Sequence, residues 1–447
     1  MDTSVLESHH SFPVFVVDDG QRKRPLDRFL SVFADVRARE GTGVLLLATN
    51  GFLLLSAYYL LKAVREALIL SQSGAEGKIY TAAAQALLLL LLVPVYSGIA
   101  ARAIRIRLIS WVTLFFATNL LAFAALGFQG VKIGVPYFLW LGICNNVLVG
   151  QFWAFANDLY DEHTGKRLFP IVGGGIALGG LAGAWLTAVL FRSLGPYRLM
   201  LVAAAILAAS VAMGLIVNRR ESQAGTKQKA IAHARIGGKG GFQLVRRDRY
   251  LFLVATLVLV LNIVNSNGEF IMSKLASLQA AAAGGDQLRF FGEFAGRFYS
   301  LQNLIVLLLQ VFVVSRLFRY IGVRGALFVL PAIAFGGYAL ALLVPVLGIV
   351  RVVKGFENST DYSIQNTARQ ALFLPTSREA KYKAKMAIDT FFTRSGDMIS
   401  AAIVFLGSSI ALSVKYYAGL NLLLVMLWLG LVVAIRREHR KTLAVSA

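Results

Sequence analysis

Apolar runs of membrane length recur along almost the whole chain and constrain its fold more than any other feature. The hydrocarbon core of a bilayer is crossed by about 20 apolar residues of helix. With 57% hydrophobic residues and a mean hydropathy of +0.66, the 447-residue chain is too apolar for a soluble multidomain protein. We therefore predict an all-α integral membrane protein with about twelve transmembrane segments. They span roughly 44–70, 79–101, 108–129, 133–158, 168–192, 197–217, 251–275, 296–317, 323–346, 348–374, 386–411 and 416–435.

The formal net charge of +22 follows this predicted topology. Lys and Arg cluster on alternate loops, within 22–39, 102–107, 166–167, 219–249, 316–324, 378–385 and 436–441. By the positive-inside rule these loops and both termini are cytoplasmic. This bias accounts for the basic linker, so we predict the lipid bilayer and no nucleic acid as a partner. We expect the protein in the inner membrane of a bacterium.

The longest polar stretch, Asn218 to Tyr250, divides the segments into two sets of six. Such a duplicated layout is typical of transporters that bind substrate between two halves and rock around it. We predict a fold of the major facilitator type, as a monomer. Its parts are a cytoplasmic N-terminal segment (1–43), an N-terminal half (44–217), a basic cytoplasmic linker (218–250), a C-terminal half (251–435) and a cytoplasmic tail (436–447).

The fifth segment contains Gly173 to Gly175, Gly179, Gly180 and Gly183. A dinucleotide-binding turn would need a preceding strand, whereas these glycines lie in an apolar span at helical spacing. They predict close helix packing. The chain has no P-loop, paired-Cys metal motif or GxSxG motif. We therefore predict a secondary transporter, not an enzyme, with no metal and no cofactor.

Tyr58, Lys62, Arg65 and Glu66 lie inside the first apolar segment. Charged groups at that depth are costly and usually face a polar cavity or a partner. The spacing allows Glu66 to pair with Lys62 across one turn, which would leave Arg65 for an anion, with the Tyr58 ring beside Lys62. The alternative is that both cations snorkel to the membrane interface.

Polar side chains also interrupt other segments. Cations and amides outnumber carboxylates, which favours a substrate with phosphate or carboxylate groups. Two interpretations compete with a role in transport: a local ion pair between Glu269 and Lys274, and a structural charge network of Asp389, Arg394 and Asp397 on the eleventh segment. Candidate substrate-binding residues are Asn145, Asn146, Asn157, Lys354, Asp361 and Arg369, and candidate coupling or gating residues are Glu66, Glu269, Asp389, Arg394 and Asp397.

Four stretches resemble a known family. Lys62 to Leu68 is similar to the K-x-x-R-[DE]-x-L pattern of the ATP/ADP translocases of plastids and intracellular bacteria, and Phe152 to Asn157 to their F-W-x-F-A-N. Leu374-Pro375 to Asp389, with Lys381, Lys383 and Lys385, and Phe294 to Phe298 resemble two further patterns. The chain departs from the family at Asn265 and within Asn366 to Gln370, where carboxylates are replaced.

The resemblance implies a twelve-helix facilitator that exchanges nucleotides or related organophosphate anions by alternating access, with Lys62 and Arg65 on phosphate. An alternative is a proton-coupled facilitator for another small solute, in which Glu269, Asp361 or Asp389 titrates. A membrane scaffold or sensor would transport nothing, and the polar lines within the segments count against it.

Overall fold

A computed structural model of the chain describes residues 24–32, 34–100, 105–160, 162–223, 241–373, 376–377 and 379–446. Residues 1–23 of the N-terminal segment, 224–240 of the linker and the Leu374-Pro375 pair lie outside this description. The described chain is helical and has no strand. Twelve long helices follow in order: α1 (40–73), α2 (75–100), α3 (Arg105–Phe128), α4 (Gly134–Leu159), α5 (162–194), α6 (196–223), α7 (Arg249–Ala283), α8 (287–321), α9 (323–343), α10 (347–372), α11 (380–409) and α12 (Val414–Ser446).

Glycines separate three pairs of consecutive helices. The chain leaves helical conformation at Gly74 (φ 67°), Gly195 (φ 69°) and Gly322 (φ 66°). A positive φ carries little steric cost for glycine, because it has no Cβ. The apolar helical stretches that contain Gly74 and Gly195 have 53 and 54 residues, so each is long enough to cross a membrane twice, once on either side of its glycine. The predicted all-α architecture of about twelve membrane helices in two halves is confirmed.

The helices run alternately up and down, so their connections fall at two ends of the bundle. We call the end with Gly74, Gly130, Gly195 and Gly284 the far end. The opposite end, which contains residues 223 and 241 of the linker, is called the linker end.

The α5 glycines bring α5 directly onto α1. A Cβ on Gly175 would lie 2.6 Å from the carbonyl oxygen of Ala48, and a Cβ on Gly179 or Gly183 would overlap the carbonyl oxygens of Phe52 or Ser56. Ser56 Oγ also donates a hydrogen bond to the Gly179 carbonyl, at 3.1 Å. The prediction of close helix packing is confirmed for Gly175, Gly179 and Gly183 and is wrong for Gly173 and Gly174, on which a Cβ would meet no atom within 4 Å. The three contacts hold α1, with its charged cluster, in a fixed position.

The two halves pack against each other toward the far end. Three buried residues of the C-terminal half join the core of the N-terminal half, and four of the N-terminal half join the other core; they are Ala276, Ala280, Phe291, Ala63, Ala75, Ile79 and Ala184. Gly296 of α8 meets the Ala188 backbone of α5, and Tyr80 shares a 3.1 Å hydrogen bond with Ser408. The halves are therefore closed on each other at the far end.

Asp27 stabilises the segment that leads into α1. It lies on the short helix Pro25–Leu30, is 1% exposed, and accepts backbone N–H groups of Arg24 (3.0 Å), Arg39 (3.1 Å) and Gly41 (2.9 Å). Burial alone would raise the pKa of Asp27, but these donors outweigh it and hold the pKa below its ordinary value. The ionised carboxylate therefore stabilises the contact between this short helix and the start of α1.

We expect Asp27→Asn to lower the free energy of unfolding by about 1–3 kcal/mol at pH 7, because hydrogen bonds to a charged acceptor are the stronger ones. A depressed pKa means that this stabilisation is present above the ordinary pKa of Asp and is lost as pH falls through the depressed value. The melting temperatures of the native chain and of Asp27→Asn, measured between pH 3 and pH 7, should converge at the acid end. A difference that stays the same over this range would contradict this role.

Candidate substrate cavity

A cavity of about 280 Å³ lies between the two halves. The N-terminal half contributes walls from α1, α2 and α4, and the C-terminal half from α7, α8, α10 and α11. Among the described residues that line it, four cations face three carboxylates. The polar and aromatic lining comprises Tyr58, Lys62, Arg65, Glu66, Lys78, Gln85, Phe138, Asn265, Ser266, Glu269, Phe270, Tyr299, Asn358, Tyr362, Arg394 and Asp397.

Glu66 organises the cations of the N-terminal half. Its side chain is 5% exposed and accepts Arg65 Nη2 at 2.7 Å and Lys78 Nζ at 2.6 Å. The expected Glu66–Lys62 pair is wrong, and so is the expectation that Arg65 has no carboxylate partner. The reason is tertiary: Lys78 arrives from α2, and Arg65 turns toward its sequence neighbour while its guanidinium packs 4.2 Å from the Phe138 ring centroid.

Lys62 has aromatic neighbours instead of a carboxylate. Its Nζ lies 4.2 Å from the ring centroid of Tyr299 and 5.3 Å from that of Tyr59. Within the described part of the chain, no carboxylate oxygen lies within 4 Å of it. Tyr58 lines the cavity but is not one of the rings over Lys62, because Tyr59 and Tyr299 of α8 take that place. The positive charge of Lys62 is thus stabilised by ring faces and left available to an anion.

The C-terminal half offers mostly neutral hydrogen-bonding groups. Asn358 Nδ2 donates to Glu269 Oε1 at 2.9 Å and to Gln302 Oε1 at 3.2 Å. Glu269 also lies 3.6 Å from Lys78 Nζ. The expected Glu269–Lys274 pair is wrong: Lys274 pairs with Glu76 of α2, across the boundary between the halves.

Lys354 lies behind the cavity wall. It is fully buried, with Nζ 2.8 Å from Asn265 Oδ1 and 3.2 Å from Glu357 Oε1, and Tyr338 donates to the same glutamate at 2.9 Å. Asn265, not Lys354, reaches the cavity. The structure thus assigns Lys354 to a buried network that orients Asn265.

Other predicted residues lie away from the cavity. Asn145 lines a separate small crevice, Asn146 donates to the carbonyl of Gly142 at 2.7 Å, and Asn157 is exposed toward the linker end. Asp361 and Arg369 are not among the lining residues, although Tyr362 is. For Arg369 the physical reason is the π-helical turn Asp361–Gln365, which rotates the part of α10 that follows it; Asp361 is the first residue of this turn.

The predicted charge network on α11 divides into two pairs. Asp389 pairs with Lys385 at 3.0 Å and lies outside the cavity lining. Arg394 and Asp397 do line the cavity, 3.5 Å apart, and Ser266 Oγ donates to Asp397 at 2.7 Å. The second pair therefore joins α7 to α11 at the cavity wall.

Sequence reasoning missed several lining residues, of which Lys78 is the most consequential. It lies four residues after Gly74, between the first two predicted segments (44–70 and 79–101), so the hydropathy pattern places it in a loop. In the structure it reaches Glu66, Glu269 and Ser273, the last at 3.1 Å. Phe138 and Tyr299 carry no charge and lie in apolar segments, so only the packing of α4 and α8 brings them to the site.

Known proteins resemble the chain in sequence. Residues 305–439 match the family described as TLC ATP/ADP transporter. ADP,ATP carrier protein 1 of Chlamydia pneumoniae is 25% identical over 328 residues, which cover 62% of each chain. ADP,ATP carrier protein 3 of Rickettsia bellii (strain RML369-C) is 21% identical over 362 residues, 67% of this chain and 68% of that one. The match thus spans less than two thirds of the Chlamydia protein.

Solved structures resemble the fold over most of its length. A bacterial homologue of the iron transporter ferroportin, in an inward-facing state, has a TM-score of 0.65 at 13% identity and covers 88% of this chain and 98% of its own. The nucleoside transporter NupG has a TM-score of 0.60 at 12% identity, covering 88% and 98%. An auto-inhibited peptide transporter of the POT family has 0.61 at 12%, covering 88% and 97%. At these identities the likeness establishes a major facilitator type fold.

Proposed function

We propose that this chain, a member of the TLC ATP/ADP transporter family, exchanges nucleotides or related organophosphate anions across a membrane by alternating access. The observation that carries the proposal is the cavity between the halves, in which Lys62 stands over two tyrosine rings with no carboxylate partner among the described residues. A polyanion that enters this cavity can bind Lys62 without first displacing a carboxylate from it.

The charge distribution orients such a substrate. Lys62, Arg65 and Lys78 belong to the N-terminal half, so the phosphates bind on that side, where Arg65 can offer two parallel donors and the lysines supply point charges. The C-terminal half presents Asn265 and Asn358, whose amides suit the hydroxyl and base groups of a nucleoside. One molecule then contacts both halves, as alternating access requires.

The membrane setting follows from the same fold. We assign the linker end to the cytoplasm, because the basic loops lie there. The far end, where the halves meet, then faces outward, and the cavity is reached from the cytoplasmic side. We place the protein in a bacterial inner membrane, as a monomer.

Counter-exchange in liposomes tests the proposal. Vesicles that contain the purified protein and internal ADP should take up labelled ATP, and vesicles without internal substrate should take up far less. Nucleosides without phosphate should not compete, because they lack the anionic end that Lys62 and Arg65 recognise. Absence of exchange with every nucleotide, with inorganic phosphate still exchanged, would restrict the substrate to smaller anions. Uptake driven by a pH gradient alone would favour the proton-coupled alternative.

A further inference from the structure

We propose that Lys78 is the positioning residue that transmits anion binding to the closed far end of the transporter. The inference rests on the proposed function, because it needs an anion in the cavity. Lys78 is 12% exposed, lines the cavity, and lies only four residues from Gly74 at the far end. It therefore belongs to the site and to the closure at once.

The contacts of Lys78 divide between the two halves. Glu66 of its own half holds Nζ at 2.6 Å, while Ser273 and Glu269 of α7 lie at 3.1 Å and 3.6 Å. The two α7 contacts tie α2 to the C-terminal half, beside Ala276, whose side chain is already packed in the N-terminal core. Loss of the Lys78 contacts would therefore loosen the seam at the far end.

Charge balance explains why an anion would change these contacts. The cluster of Lys62, Arg65, Lys78, Glu66 and Glu269 carries one net positive charge when all five are ionised. A phosphate chain with several negative charges exceeds that, so after meeting Lys62 it must compete with the two glutamates for the other cations. Lys78, with a flexible stem and a point charge, can turn toward the anion. It then leaves Glu269 and Ser273, and the far end is released.

A neighbouring ion pair supplies a matched control. Glu76, two residues before Lys78 on the same helix, pairs with Lys274 of α7, so it also ties α2 to the C-terminal half. Glu76 does not line the cavity. Glu76→Gln therefore weakens the closure while the response to an anion is kept, whereas Lys78→Gln weakens the closure and removes the response.

A cysteine reporter at the far end measures the response. In a Cys144→Ala background, which removes the chain's single cysteine, Ala280→Cys places a thiol where the side chain is 2% exposed between the halves. Maleimide labelling of the purified protein is followed with and without ADP. In this parent we expect ADP to raise the labelling rate about fivefold or more, the lower end of ordinary allosteric coupling.

The variants separate the possible roles. With Lys78→Gln, labelling should be fast without ADP and change less than about twofold on its addition, taking the same coupling scale. With Glu76→Gln, basal labelling should rise and the response to ADP should persist, and Lys78→Arg should retain the response because the charge is kept. Should Lys78→Gln fail to fold, Glu269→Gln serves in its place and is expected to label fast with a reduced response.

Two results would overturn the proposal. One is a full ADP response in Lys78→Gln or, where that variant does not fold, in Glu269→Gln. The other is a parent in which ADP raises the melting temperature but leaves labelling unchanged. Failure of both ADP and inorganic phosphate to shift the melting temperature of the parent would instead contradict the proposed function, and the inference with it.

Discussion

Lys62→Gln should reduce nucleotide exchange by about thirtyfold or more. Removing one partner of a desolvated, charge-assisted contact costs about 2–5 kcal/mol, and each 1.4 kcal/mol is about a factor of ten in affinity. Substitution of Lys62 should reduce exchange more than substitution of the other cavity cations, because no carboxylate among the described residues already neutralises its charge. The measurement is the initial rate of ATP uptake into ADP-loaded liposomes over a range of ATP concentrations.

Two control variants accompany Lys62→Gln. One removes a positive charge elsewhere in the chain, and the other keeps the charge at position 62 but changes the shape of the side chain. Lys415→Gln removes an exposed cation at the start of α12, outside the cavity, and should leave exchange unchanged. Lys62→Arg keeps the charge and should retain more activity than Lys62→Gln, though less than the native chain, because the planar guanidinium fits less well between the two rings. Equal losses in Lys415→Gln and Lys62→Gln would contradict a binding role for Lys62.

The sequence predicted the fold well because the bilayer imposes a one-dimensional rule. Each crossing needs about 20 apolar residues, and that count can be read without knowing which helices touch. The glycines of α5 were also interpretable, since a row of small residues on an apolar helix has few roles besides close packing. Gly175, Gly179 and Gly183 lie against α1 backbone as expected, whereas Gly173 and Gly174 face open space.

The sequence predicted which polar residues of one helix reach the cavity, most completely on α1 and also for Glu269, Arg394 and Asp397. Tyr58, Lys62, Arg65 and Glu66 line the cavity together because they share one stretch of α1. Their partners could not be read from spacing: Glu66 has Lys62 one turn away, yet it binds Lys78 of the next helix and Arg65 beside it. A cation from another helix competes with a local one, and only the packing decides the outcome.

Helical spacing also failed on α10 for a structural reason. Uninterrupted α-helical spacing would place residues 354, 358, 361, 365 and 369 close to one face of α10, but a π-helical turn occupies Asp361–Gln365. Such a turn adds about one residue, which rotates everything beyond it by about 100° relative to an uninterrupted α-helix. Asn358, before the turn, lines the cavity, while Arg369, after it, does not. No motif in the sequence marks this turn.

The largest effect on folding should come from the α1–α5 contact. In Gly179→Val/Gly183→Val, each new Cβ would overlap a carbonyl oxygen of α1, at Phe52 and at Ser56. Overpacking typically costs about 1–3 kcal/mol per site and more where the obstacle is backbone that cannot change rotamer, so the pair consumes a large part of the 5–15 kcal/mol that holds a typical protein together. We expect the double variant to be lost from the monodisperse peak in size-exclusion chromatography.

The same helix provides the control for the packing argument. A Cβ on Gly173 or Gly174 would meet no atom within 4 Å, so Gly173→Ala/Gly174→Ala should fold and exchange nucleotides like the native chain. If both double variants failed alike, glycine would be needed along α5 for backbone freedom and not for its contact with α1. If only Gly179→Val/Gly183→Val fails, the close approach of α5 is what holds Lys62, six residues beyond Ser56, at the cavity wall, so that folding and anion binding depend on one helix contact.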